Sequence, residues 1–185
     1  DFGQASQSTT VTITGDDDVT LDLDQDEVTQ GVDVVYTIRG SEAGNFHAVK
    51  IENDSFRDTV DGDDAQAIFR DTGDVSERGV VTVASGGAGG VAGDTAYARE
   101  SGTTPDVENV SYAYAFVEID DDTGVGTGSI ETGFLDSTDV DVDVHSAGVQ
   151  PADAAESNLE DDPTLTVEEG DIELESPGNS YVVGS

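Results

Sequence analysis

The sequence predicts an all-β sandwich, and three observations carry that reading. Apolar residues alternate with polar ones in many short runs, as half-buried strands require. Gly and Asp clusters punctuate these runs at turn spacing. The 42 acidic residues are spread along all 185 positions and not gathered into one tail, which fits a folded body with an acidic skin.

The strands follow in order. Val11 and Ile13 alternate ahead of the turn Asp16-Asp17-Asp18, and Val19, Leu21 and Leu23 alternate after it. Val34, Tyr36 and Ile38 form the next run, followed by His47, Val49 and Ile51. Val81 and Val83 precede the long run from Asn109 to Ile119. Ile130, Thr132 and Phe134 come next, then Val140, Val142 and Val144 with Asp139, Asp141 and Asp143 on the solvent side. Leu165 with Val167, Ile172 with Leu174, and Tyr181 to Val183 complete the series. Strict period two buries one face of each strand and wets the other.

One stretch breaks the alternation. Asp64 to Arg70 has helical composition, with Asp63 or Asp64 as N-cap and Gly73 placed to close the helix. It predicts a short helix inserted at one end of the sandwich. Gly86 to Gly93 reads as a surface loop, and Pro151 to Asp162 as a polar connection with room for one helical turn.

The formal net charge is −36, with six basic residues of which only Lys50 is a lysine. Such self-repulsion opposes folding in dilute buffer, whereas at about 1 M salt the Debye length shrinks to roughly 3 Å. Carboxylates bind water and cations without the aliphatic stem that lysine adds. The chain is therefore salt-adapted. Nucleic acid is excluded as a partner, because phosphate binding needs basic patches and the five arginines are isolated. No run reaches the roughly 20 apolar residues of a membrane-spanning helix, and the absence of cysteine removes disulfides and thiolate metal sites.

Residues suited to catalysis are few. His47 and His145 both fall inside strand patterns, no serine sits in a Gly-x-Ser-x-Gly elbow, and paired carboxylates carry no specificity among 42 acids. Cation binding fits better. Glu118 with Asp120, Asp121 and Asp122 sits where a long strand meets the turn Thr123 to Gly128, and Asp16, Asp17 and Asp18 form a second acidic turn. Hard divalent cations such as Ca2+ or Mg2+ take several oxygen ligands from turns of this kind, as structural ions and not as catalytic cofactors. The competing reading of each cluster is a solvated acidic turn. Two N-glycosylation sequons are present, Asn53-Asp54-Ser55 and Asn109-Val110-Ser111, which is no surplus over chance for five asparagines.

Several runs, taken in order, resemble the central region of haloarchaeal S-layer (major cell-surface) glycoproteins. They include Val28-Thr29-Gln30-Gly31 leading into Val35-Tyr36-Thr37, and Ala67 to Asp74. Ala113 to Asp120, Ser129 to Asp136, Leu165 to Gly170 and Tyr181 to Ser185 continue the likeness over nearly the whole chain. The resemblance implies an immunoglobulin-like β-sandwich, with the short helix inserted, among neighbouring immunoglobulin-like domains of one chain. It implies residues 1–15 as the last strand of a preceding domain or a linker, residues 16–170 as the domain itself, and residues 171–185 as the first strand of the next. It further implies an extracellular protein that tiles with copies of itself into a two-dimensional lattice, carries N-glycans and depends on divalent cations, without enzymatic activity. The alternative is an adhesion or ligand-binding sandwich using exposed tyrosines such as Tyr97, Tyr112 or Tyr114.

Overall fold

The computed structural model describes residues 18–82, 94–105 and 109–170. Within them run twelve strands: β1 (Thr20–Leu23), β2 (Glu27–Thr29), β3 (Asp33–Arg39), β4 (Phe46–Glu52), β5 (Val75–Thr82), β6 (Thr95–Ala98), β7 (Val110–Glu118), β8 (Gly126–Glu131), β9 (Asp139–Asp141), β10 (Asp143–His145), β11 (Leu159–Asp161) and β12 (Thr164–Glu168). They form three sheets, ordered β1-β3-β8, β11-β10-β4-β7-β5-β6 and β2-β12-β9. All pairings are antiparallel except β2 with β12, which is parallel.

One core joins the three sheets. Leu21, Tyr36, Ile38 and Ile130 enter it from the first, Val49, Ile51, Ala113 and Val117 from the second, and Val28, Val140 and Leu165 from the third. The all-β sandwich expected from the alternation is therefore what forms. Val11 and Ile13, Asp16 and Asp17, Val83, the Gly86–Gly93 loop, and the expected strands after residue 170 lie outside the described residues, as do the boundary segments 1–15 and 171–185.

Four local expectations need correction. The helix is shorter and earlier than composition suggested: α1 spans Gly62–Ala65 and is capped by Asp61, whose carboxylate accepts the N–H groups of Asp63 and Asp64 at 2.9 Å. Ile68 to Arg70 instead run along β8, with Arg70 N–H donating to the Ser129 carbonyl and Glu131 N–H to the Ile68 carbonyl. Ile68 and Phe69 are both buried there, Phe69 edge-on to Tyr36. Second, β8 ends at Glu131. Thr132–Phe134 is a 3-10 turn held by the Thr132 hydroxyl, which donates to the Val32 carbonyl and accepts from Gly31 N–H.

The third correction concerns β4, which is buried on both faces from His47 to Ile51. Its outer side lies under a second cluster of Ala48, Val81, Tyr112, Tyr114 and Ala154. The Pro151–Asp162 stretch supplies this cover through two 3-10 turns, and the Tyr112 hydroxyl donates to the Pro151 carbonyl at 2.7 Å. Fourth, Asp139 and Asp141 face solvent as expected but Asp143 is buried beside Lys50.

Candidate functional site

The acidic turn after β7 is built by its own side chains. Asp120 Oδ1 accepts the backbone N–H groups of Asp122 and Thr123 and the Thr123 hydroxyl at 2.8–3.0 Å. The two bonds from Thr123 hold the Asp120 carboxyl below its ordinary range. Gly124, at φ +70°, returns its N–H to the Asp120 carbonyl and closes the turn. Only glycine adopts that φ without strain. Asp74, Glu118, Asp120, Asp121 and Asp122 line a shallow recess beside this turn. Two of the five are already engaged, since Asp74 Oδ2 accepts the N–H and hydroxyl of Thr127.

Asp18 is exposed ahead of β1. Among the described residues, no group of three or more His, Cys, Asp or Glu side chains is arranged to hold a metal ion.

A second acidic cavity, of about 230 Å³, was not legible in the sequence. Glu52 and Asp54, Asp139, Asp141 and Asp143, and Glu156 and Asp162 converge on it, with Ser55 and Leu159 in its wall. These residues come from three separate stretches that β4–β10 and β10–β11 pairing bring together, so no local spacing announced them. Lys50 pairs with two of the residues lining the cavity. Its ammonium donates to Glu52 at 2.6 Å, lies 3.4 Å from Asp143 and sits 5.2 Å from the centre of the Tyr112 ring. Burial raises the Asp143 carboxyl above its ordinary value, and the opposing pull of Lys50 only reduces the effect.

Both histidines are fully buried. His47 bonds the His145 carbonyl through Nδ1 and the Ser41 hydroxyl through Nε2, both at 2.8 Å. His145 Nδ1 meets Asn158 Oδ1 at 2.7 Å. Burial lowers the pKa of both rings. Neither histidine lies within hydrogen-bond reach of a carboxylate in the recess or the cavity, so they act as structural residues in this core. Tyr112 and Tyr114 are buried and Tyr97 packs against the core, so these tyrosines do not form an exposed binding face.

The arginines pair locally. Arg39 meets Asp22, Arg70 meets Asp33 and Glu131, and Arg78 meets Glu100. Arg57 and Arg99 donate to the backbone carbonyls of Gly133 and Asp63. No basic patch results.

The sequons share one end of the six-stranded sheet. Asn53 leaves β4 in the 3-10 turn Asn53–Ser55, and Asn109 immediately precedes β7, with Glu52 opposite Tyr112 across the two strands. Asn53 Nδ2 donates to the Val110 carbonyl at 2.8 Å.

Comparison with known proteins supplies what this geometry does not. No family model matches the chain. Along its whole length it is 40% identical, over 198 residues, to the cell surface glycoprotein of Haloarcula japonica. It is 40% identical over 200 residues to that of Halobacterium salinarum, and 37% identical over 215 residues to that of Haloarcula marismortui. The chain aligns with one segment of each of these cell surface glycoproteins and spans 22–24% of their length. The likeness read from ordered sequence runs is thereby borne out, and so is an extracellular, cell-surface location. No described helix is long and apolar enough to cross a membrane.

Proposed function

We propose that this segment is a structural module of an S-layer glycoprotein, an immunoglobulin-like sandwich that assembles with copies of its parent chain into a two-dimensional extracellular lattice. The observation that carries the reading is the whole-chain match, at 37–40% identity, to proteins named as cell surface glycoproteins. The immunoglobulin-like reading draws support from the division of the first strands between two sheets: β1 pairs with β3, and β2 with β12 near the end of the domain. In this reading the module has no catalytic task, N-glycans decorate it, and neighbouring immunoglobulin-like domains flank it.

Divalent cations support the lattice by bridging acidic surfaces, with Glu118, Asp120, Asp121 and Asp122, and Asp16 to Asp18, as the turns that present carboxylates. Among the described residues no three His, Asp or Glu side chains stand close enough together to hold an ion. In this reading the ions bridge carboxylates of neighbouring copies.

The test is electron microscopy of envelopes from a haloarchaeon carrying the full-length protein. The lattice is expected to disperse on chelation of Ca2+ and Mg2+ and to fail when this segment is deleted. A lattice that survives complete chelation overturns the cation role. One that survives the deletion overturns the module role.

A further inference from the structure

We infer that in the folded module N-glycan attachment belongs to Asn109, and that Asn53 is a structural asparagine whose sequon is closed. This rests on the surface-glycoprotein reading above. In the reaction, the asparagine Nδ2 forms a bond to the anomeric carbon of a phosphate-activated glycosyl donor. The carbon–oxygen bond to phosphate breaks, the phosphate departs with the electron pair, and the amide gives one proton to a base. The enzyme must therefore reach Nδ2, and it must read the hydroxyl two residues on, along a stretch of chain lifted clear of the fold.

At the first sequon Asn53 lies at the surface, but its amide is engaged and its serine is buried. Asn53 Nδ2 is spent on the Val110 carbonyl at 2.8 Å. Ser55 is only 7% exposed, and its carbonyl accepts the N–H of Asp136 at 2.9 Å. The 3-10 turn closes through Phe56 N–H on the Asn53 carbonyl at 3.1 Å. Phe56 then bridges to Leu135, and both side chains belong to the main core. Presenting Asn53 and Ser55 to an enzyme thus means pulling Phe56 out of the core and opening the contact with β7.

The second sequon differs in its place on the strand and in its serine. Asn109 is exposed, as Asn53 is, and stands one residue ahead of β7, while Val110 beside it is buried and anchors the strand. Ser111 is half-buried at the strand's first turn outward. The carbonyl that locks Asn53 is that of Val110, the middle residue of this sequon. The same bond that closes the first sequon therefore fixes the strand start from which Asn109 projects.

The test is site-resolved glycopeptide mass spectrometry on the full-length protein made in a haloarchaeal host, in wild type and in Ser55→Ala and Ser111→Ala variants. Glycan is expected on the Asn109 peptide and not on the Asn53 peptide. Ser55→Ala removes the first sequon yet keeps the Asn53 amide in place, and it is expected to leave the glycan pattern unchanged. Ser111→Ala is expected to abolish it. Glycan on Asn53, alone or together with Asn109, overturns the inference, as does a bare Asn109 in protein displayed at the surface. The peptides are read in whichever fraction holds the protein. Failure to reach the envelope with glycan on Asn109 intact would count against the lattice module and leave the sequon assignment standing.

Discussion

Lys50 shows why a lone charged residue is hard to read from sequence. In a chain with 42 acids and one lysine, any exposed position would offer that lysine carboxylate neighbours, and yet it is buried. Its aliphatic stem and the Tyr112 ring pack together under the Pro151–Asn158 cover, while Glu52 and Asp143 hold the ammonium. Removing one member of a buried pair strands the other charge, at a cost of about 3–5 kcal/mol. Lys50→Met is therefore expected to destabilise the module by about 3 kcal/mol, because Asp143 keeps its burial and loses its cation. Adding Asp143→Asn should recover most of that loss, as denaturant midpoints in concentrated salt would show. Equal losses in the single and double variants would mean that Lys50 matters only for packing. Tyr112→Phe isolates the cover itself. It deletes the hydroxyl donor to the Pro151 carbonyl, and the expected cost is about 1 kcal/mol.

At the scale of elements, period two was a reliable guide and composition was not. The runs at Val34 to Ile38 and Leu165 to Val167 formed strands because alternation reports which face is buried, whereas the Val110–Glu118 strand is buried on both faces from Tyr112 to Ala115. The helix failed at its bounds, since Asp63 and Asp64 are equally plausible caps on sequence grounds and the capping carboxylate belongs to Asp61. Asp61→Ala is expected to cost about 1 kcal/mol, with Asp63→Ala near neutral, as measured by chemical denaturation. The reverse order would restore the cap to the position expected from sequence. Burial on both faces of β4 was likewise out of reach, because its outer cover comes from a stretch whose composition reads as a polar connection. Gly79 marks the tightest approach in the same sheet. A Cβ there would lie 2.0 Å from the Tyr97 carbonyl oxygen, and backbone cannot step aside as a side chain can. Gly79→Ala is expected to detach β6 from β5, which amide hydrogen exchange across Thr95–Ala98 would register as lost protection.

Across the whole molecule, two electrostatic effects act in opposite senses as pH falls. The buried rings of His47 and His145 have pKa values below that of an unfolded histidine, about 6.5. In the window between those lowered values and about 6.5 the unfolded chain binds more protons than the folded one. Stability therefore falls as pH drops through that window, and is fully present above it. Carboxylate protonation further down relieves the repulsion of the acidic skin, which acts in favour of the fold. In high salt the skin is screened, so the histidine effect is expected to stand out as a decline in unfolding midpoint beginning near pH 6.5. His47→Gln should remove part of it.

Dilution of salt tests the skin directly. With a formal charge of −36, lowering ionic strength from about 1 M to about 0.1 M stretches the Debye length from roughly 3 Å to roughly 10 Å, enough to couple neighbouring carboxylates that were independent before. The unfolding midpoint is expected to fall steeply over that range. Asp121→Asn with Asp122→Asn, both at exposed positions of the turn after β7, should make the fall shallower without changing stability in concentrated salt. Salt also strengthens burial by exclusion from the surface, and that effect does not need charge. Sucrose separates the two, since it is excluded in the same manner but screens nothing. If repulsion governs, sucrose added at low ionic strength restores little of the lost midpoint and the double variant restores more. A full recovery in sucrose would assign the salt requirement to burial and leave the acidic skin as an agent of solubility alone.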